Sequence, residues 1–253
     1  MTAMNNPVKT ILVSQPEPKT ENSPYRDLAE KLKVKIDFQP FIHVEGVDSS
    51  EFRKQKVSLT DHTAVILTSR NAVDHYFRIC EECRFTVPDS MKYFCMSEAI
   101  AFYLQKYVVY RKRKIYFGKH VFADLIEQIK KHKSEKFLLP SSDILKQDIP
   151  NLLEKNKIDY KRAILYNTVC TDLSHLSDVY YDILVFFSPS GIKSLLQNFP
   201  DFKQKDTRIA AFGKTTCEAV KANKLRLDIE APSAQAPSMT MALENYIKKV
   251  NKK

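Results

Sequence analysis

Val65-Ile66-Leu67-Thr68-Ser69-Arg70-Asn71-Ala72-Val73 returns later in the chain as Val185-Phe186-Phe187-Ser188-Pro189-Ser190-Gly191-Ile192-Lys193. Each copy is a short apolar run, then hydroxyl side chains, then a stretch with helical spacing. An uninterrupted apolar run of this length suits a strand covered on both faces, as in a parallel sheet. The hydroxyls after it suit the N-cap of a crossover helix. Two fainter echoes set Tyr93-Phe94-Cys95-Met96-Ser97 against Ile209-Ala210-Ala211-Phe212-Gly213, and Ile11-Leu12-Val13-Ser14-Gln15 against Phe137-Leu138-Leu139-Pro140-Ser141. An offset of roughly 120 residues is far beyond a solenoid unit of roughly 20–50. The repetition therefore predicts two similar domains, and two domains make a cleft.

Outward from these copies, β-rich runs alternate with amphipathic stretches along the whole chain, the pattern of parallel sheets with crossover helices. Strands are predicted near 9–14, 34–44, 63–68, 92–96, 114–117, 136–140, 160–170, 182–187, 208–212 and 226–230. Helices are predicted near 24–33, 49–56, 70–82, 98–106, 121–132, 148–157, 189–198, 214–223 and 238–250. The stretches 34–44 and 160–170 are long for parallel strands and occupy matching places in the two copies. Extended segments there would carry the chain out of one domain and back. The fold class expected is α/β, with two parallel sheets flanked by helices and two extended crossing segments. Domain 1 would be discontinuous, residues 1–39 and 171–253. Domain 2 would be inserted at 44–166, with 40–43 and 167–170 as linkers.

The 253 residues suffice for two ordinary cores. A net charge of +10 favours an anionic partner. The basic clusters at 111–114 and 130–136 are short and interrupted, so they read as solvated faces rather than a nucleic-acid stripe. The only close cysteine pair, Cys80 and Cys83, has no second pair to complete a zinc site, and six histidines make no ligand spacing, so no metal is expected. Four glycines, at 46, 118, 191 and 213, leave no room for a dinucleotide fingerprint or a P-loop. No apolar run approaches the roughly 18 residues of a membrane span, and the N-terminus lacks a signal pattern, so a cytoplasmic protein without a membrane partner is predicted.

In doubly wound sheets, ligands bind beyond the carboxyl ends of the strands. Hydroxyl-rich turns stand there in both copies: at 14–16, 68–71, 141–143, 188–191 and 213–216. Each can offer a side-chain hydroxyl and free N–H groups at a helix N-terminus, which suits carboxylate or phosphate. Simple helix capping is the competing role of any one turn. Serine nucleophiles have no elbow motif around them. Tyr166, in Ile164-Leu165-Tyr166-Asn167-Thr168 at the domain crossing, is the candidate proton donor, with packing, the commoner role of a strand tyrosine, as the competing one.

In order and spacing, Thr68-Ser69-Arg70-Asn71-Ala72-Val73, Leu165-Tyr166-Asn167-Thr168, Phe187-Ser188-Pro189-Ser190-Gly191, Gly213-Lys214-Thr215-Thr216 and Ala236-Pro237-Ser238 resemble the uroporphyrinogen-III synthases. The resemblance implies a cofactor-free lyase that closes hydroxymethylbilane to uroporphyrinogen III with loss of water and inversion of ring D. It assigns Tyr166 to departure of the hydroxyl. It assigns substrate carboxylates to Thr68, Ser69, Asn71, Ser188, Ser190, Gly191, Arg208, Gly213, Lys214 and Thr215. Ser97 stands in place of the usual glycine, Ile100 where threonine is common, and Lys214 in place of a frequent proline. A non-catalytic module of the same fold that binds tetrapyrrole or another polyanion is the alternative. The expected partner is the small polycarboxylate substrate of a monomeric protein, with hand-over from hydroxymethylbilane synthase as the protein contact that the chemistry suggests.

Overall fold

The computed structural model describes residues 6–20, 22–119 and 121–251, so His120, one of the histidines considered above, lies outside the described residues. The chain divides into two units, 1–43 with 169–253, and 44–168. The first contains β1 (Thr10–Val13), α1 (Pro24–Leu32) and β2 (Lys35–Phe38), and β3 (Ile42–Gly46) then crosses the division. The second runs through α2 (Ser49–Lys54), β4 (Ala64–Leu67), α3 (Arg70–Glu82), β5 (Lys92–Cys95), α4 (Glu98–Leu104), β6 (Ile115–Phe117), α5 (Phe122–Lys130), β7 (Phe137–Ser142) and α6 (Asp148–Lys155). The strand β8 (Tyr160–Cys170) crosses back, and β9 (Ile183–Phe186), α7 (Pro189–Asn198), β10 (Arg208–Phe212), α8 (Lys214–Ala222), β11 (Ile229–Ala231) and α9 (Met239–Asn251) complete the first unit.

Unit 1 has the sheet order β11-β10-β9-β1-β2, with parallel pairing at each of its junctions. Period-two alternation sends Ile11 and Val13 into one apolar layer with Leu28 and Leu243, and Leu12 into the other with Ile192 and Val220. The second sheet has the order β3-β8-β7-β4-β5-β6. Val65 and Leu67 face the layer of Val73, Tyr76 and Ile79, while Ala64 and Ile66 face that of Leu125, Ile129 and Leu153. Burial on both faces explains why these strands read as unbroken apolar runs. Each large aliphatic side chain buried this way contributes about 1.5–3 kcal/mol. Among the described residues, no helix is long and apolar enough to cross a membrane.

The predicted strand over 34–44 is in fact two strands in different sheets. Pro40 has no N–H to give to a ladder and restricts Gln39 before it. The chain breaks there, and Phe41 turns into the unit 1 core, edge-on to Phe186 at 5.4 Å. The strand expected over 226–230 is shorter and later, at Ile229–Ala231.

Candidate active site

The carboxyl ends of β4, β5 and β7 and the middle of β8 surround a cleft of about 730 Å³ within unit 2. Thr68 and Ser69 enter from the β4–α3 turn, Met96 from the end of β5, Ser141 and Ser142 from β7, and Tyr166 from β8. The exposed Lys146 and Lys155 stand on its rim. Ser69 is the N-cap of α3, its Oγ accepting the Ala72 N–H at 3.0 Å. The same Oγ lies 3.2 Å from the Tyr166 hydroxyl. With the amide hydrogen already accepted, the serine can donate to the phenol oxygen and leave the phenol proton for the cleft.

Tyr166 reaches this place through a β-bulge. Ser141 pairs with Ile164, but Ser142 pairs with Tyr166, so Leu165 is the extra residue. A bulge breaks the alternation of faces and re-aims the side chain that follows. Leu165 and Tyr166 are consequently buried in succession, at 0% and 7% exposure. Burial, with a further push from the Asp143 charge, raises the Tyr166 phenol above its ordinary pKa, the Ser69 bond opposing in part. The phenol is a protonated hydrogen-bond donor throughout the neutral range. Ser141 is already engaged, donating to the Ser142 carbonyl at 3.0 Å and accepting from Arg162 Nε at 2.9 Å.

His75 was not foreseen at this site. Its ring lies against the Tyr166 ring, 4.9 Å between centroids and 19° between planes. Its Nδ1 accepts a hydrogen bond from Arg78 Nε at 3.1 Å. Burial, and next the Arg78 charge, hold the imidazole below its ordinary pKa.

In unit 1 the equivalent turn is built on Ser188, the N-cap of α7, whose Oγ accepts the Gly191 N–H at 3.2 Å. A Cβ on Gly191 would come within 3.1 Å of the Phe186 ring, so close packing behind the turn explains the glycine. Ser190 is half-buried in the first turn of that helix. Gly213 precedes α8 with φ +87°, a conformation favouring glycine, and Lys214 and Thr215 are exposed on the first turn. Asn71 is exposed in the first turn of α3. A larger cavity in unit 1, about 830 Å³, is lined by Tyr181 and Thr207 before β9 and β10, and none of the predicted site residues lines it.

Residues 23–241 match the family model of uroporphyrinogen-III synthase HemD. The chain belongs to the uroporphyrinogen-III synthase family. Its fold is similar to that of the uroporphyrinogen-III synthetase of Helicobacter pylori 26695, with a TM-score of 0.59 and 18% identity over 95% of this chain and 99% of that one. A mutant uroporphyrinogen III synthase of the extremely thermophilic bacterium Thermus thermophilus gives a TM-score of 0.55 and 12% identity over 97% of this chain and 100% of that one. None of the curated proteins matches the chain. The family is one of lyases in porphyrin biosynthesis.

Set against the uroporphyrinogen-III synthase pattern, Arg208 is a correction. It stands at the amino end of β10, the edge away from the ligand-binding turns, with 0% exposure. Its Nη2 donates to the Asn6 carbonyl at 2.6 Å and its Nε to the Tyr246 hydroxyl at 3.2 Å. Arg208 thus ties the N-terminal segment to α9 inside the core. The two departures near α4 also have a physical form. Ile100 is buried with Ala101 and Leu104 in the core, and Ser97 occupies the N-cap of α4 without a side-chain capping bond.

Proposed function

We propose that this chain is an active uroporphyrinogen-III synthase, cyclising hydroxymethylbilane with loss of water and inversion of ring D. The observation that carries the proposal is the nearly buried, protonated Tyr166 on Ser69, in a hydroxyl-lined cleft rimmed by Lys146 and Lys155. The helix N-termini at Thr68–Ser69 and the rim lysines suit the acetate and propionate groups of the substrate. The turns of Ser188 and of Gly213-Lys214-Thr215 offer the same kind of contact.

In the proposed reaction Tyr166 hydrogen-bonds the hydroxymethyl oxygen and gives it a proton as the C–O bond breaks, so water leaves. The resulting azafulvene cation is attacked by ring D, the spirocyclic intermediate reopens, and the macrocycle closes with ring D inverted. The ring D carbon that forms the last bond then loses its proton, which restores the phenol. A raised pKa makes Tyr166 a weak acid, so its proton moves late, after charge growing on the departing oxygen has strengthened the hydrogen bond between them.

Fresh hydroxymethylbilane supplied to the purified protein, followed by oxidation and chromatographic separation of the uroporphyrin isomers, tests the proposal. Type III product is expected. Type I alone, formed at the rate seen without protein, would overturn it in favour of a non-catalytic binding module.

A further inference from the structure

The phenol of Tyr166 is held by a device outside its own strand. The carbonyl of Leu165, the bulged residue, accepts the Val47 N–H at 2.9 Å. It also accepts Arg78 Nη2 at 3.1 Å, and the same nitrogen donates to the Val47 carbonyl at 2.7 Å. The guanidinium therefore bridges the backbone just after β3 to the bulge in β8. The remaining Arg78 nitrogens bond His75 Nδ1 and the Glu82 carboxylate. A planar fork with fixed donor directions is suited to holding a carbonyl pair and a ring together, as an ammonium is not. Gly46 leaves the space: a Cβ there would sit 2.9 Å from the Arg78 guanidinium.

The second half of the device is the His75 ring. An arginine cannot give up its proton, so the bond from Arg78 Nε makes His75 Nδ1 an acceptor and places the ring hydrogen on Nε2. This fixes the tautomer and the tilt of the imidazole, whose face then backs the Tyr166 ring at 4.9 Å. Ser69 holds the phenol at its oxygen, His75 holds it at its face, and the bulge holds its backbone.

We propose that His75 and Arg78 are positioning residues for Tyr166, setting the direction of the phenol hydroxyl in the cleft without touching the substrate themselves. The proposal rests on the catalytic reading of Tyr166 only for its effect on rate. A misplacement of about 1 Å in a reacting group can reduce turnover by roughly 100-fold. An imidazole replaced by another flat ring keeps the backing face; a small side chain does not.

The test compares His75→Ala, His75→Phe and Arg78→Lys by two readouts. Tyrosines labelled with ¹³C at the ring carbon bearing the hydroxyl are observed by NMR, with the Tyr166 signal assigned from Tyr166→Phe. In His75→Ala and Arg78→Lys that signal should shift or broaden, while in His75→Phe it should remain a single sharp line. Steady-state kinetics should show kcat down roughly tenfold or more in His75→Ala with KM within twofold, and most of the rate recovered in His75→Phe. An unperturbed Tyr166 signal in folded His75→Ala would overturn the inference, as would a phenylalanine variant no better than the alanine one. Wild-type protein that forms no type III isomer would sink the catalytic reading, and the NMR comparison would still decide the positioning claim.

Discussion

Replacing Tyr166 by phenylalanine separates chemistry from folding at this site. The ring is retained, so its stack on His75 at 4.9 Å and its burial are kept. The group removed is the hydroxyl, whose partner among the described residues is Ser69 Oγ at 3.2 Å. Ser69 continues to cap α3 through Ala72, so the helix start is undisturbed. A neutral hydrogen bond next to an open cleft is worth about 0.5–1 kcal/mol, and the variant should lose no more stability than that. Loss of a positioned proton donor typically slows a reaction about 10²–10⁴-fold, which corresponds to roughly 2.7–5.4 kcal/mol of transition-state stabilisation. The assay is the initial rate of type III formation from fresh hydroxymethylbilane, with denaturant melts alongside. KM should change little, and the type I share should rise as spontaneous closure outruns the enzyme. An initial rate equal to wild type at matched substrate would refute the role of the phenol.

Gly46→Ala should push the Arg78 guanidinium off the Val47 and Leu165 carbonyls and destabilise unit 2 by about 1–3 kcal/mol, read from chemical denaturation. Arg208→Met should alter the melting temperature but leave KM for hydroxymethylbilane unchanged, because the side chain is enclosed between Asn6 and Tyr246; a large rise in KM with folding intact would restore it as a substrate contact. His62, His75 and His132 all lie below the ordinary imidazole pKa, with burial the leading cause in each. In the window from about pH 6.5 down to their folded values, the unfolded chain binds more protons than the folded one, so stability should fall as pH falls. Melts at pH 7 and pH 5.5 should show the drop, and His75→Phe should show a smaller one.

Much of the fold was legible because its signals are local. The apolar runs at 65–67 and 183–186 declare buried strands, and Ser69 and Ser188 declare helix starts, since an N-cap needs only a hydroxyl and the amide two or three residues on. Arg208 was legible too, from the direction of its strand: a residue at the start of a parallel strand lies a strand's length from the turn at Gly213. The assignment of Arg208 to substrate came from the resemblance alone. The bulge at Leu165 had no signal, because it is a relation between two strands and depends on the register of Ser141 and Ser142. The stack of His75 on Tyr166 and the space that Gly46 leaves for Arg78 are likewise pair properties of residues far apart in the chain. Periodicity along one segment cannot display them.

The strand order of unit 1 sets a timetable for synthesis on the ribosome. Strand β1 lies between β2, made at once, and β9, made after the whole of unit 2. At ordinary elongation rates the interval between β2 and β9 is on the order of 10 s. Throughout it Ile11, Leu12 and Val13, which end at 0–3% exposure, have no partner strand on one side. Unit 2, contiguous from 44 to 168, is made within the same interval and has all its strands before β9 is made. The inserted domain can therefore be complete before the N-terminal sheet is, and the sheet's apolar strand needs protection until β9 is made.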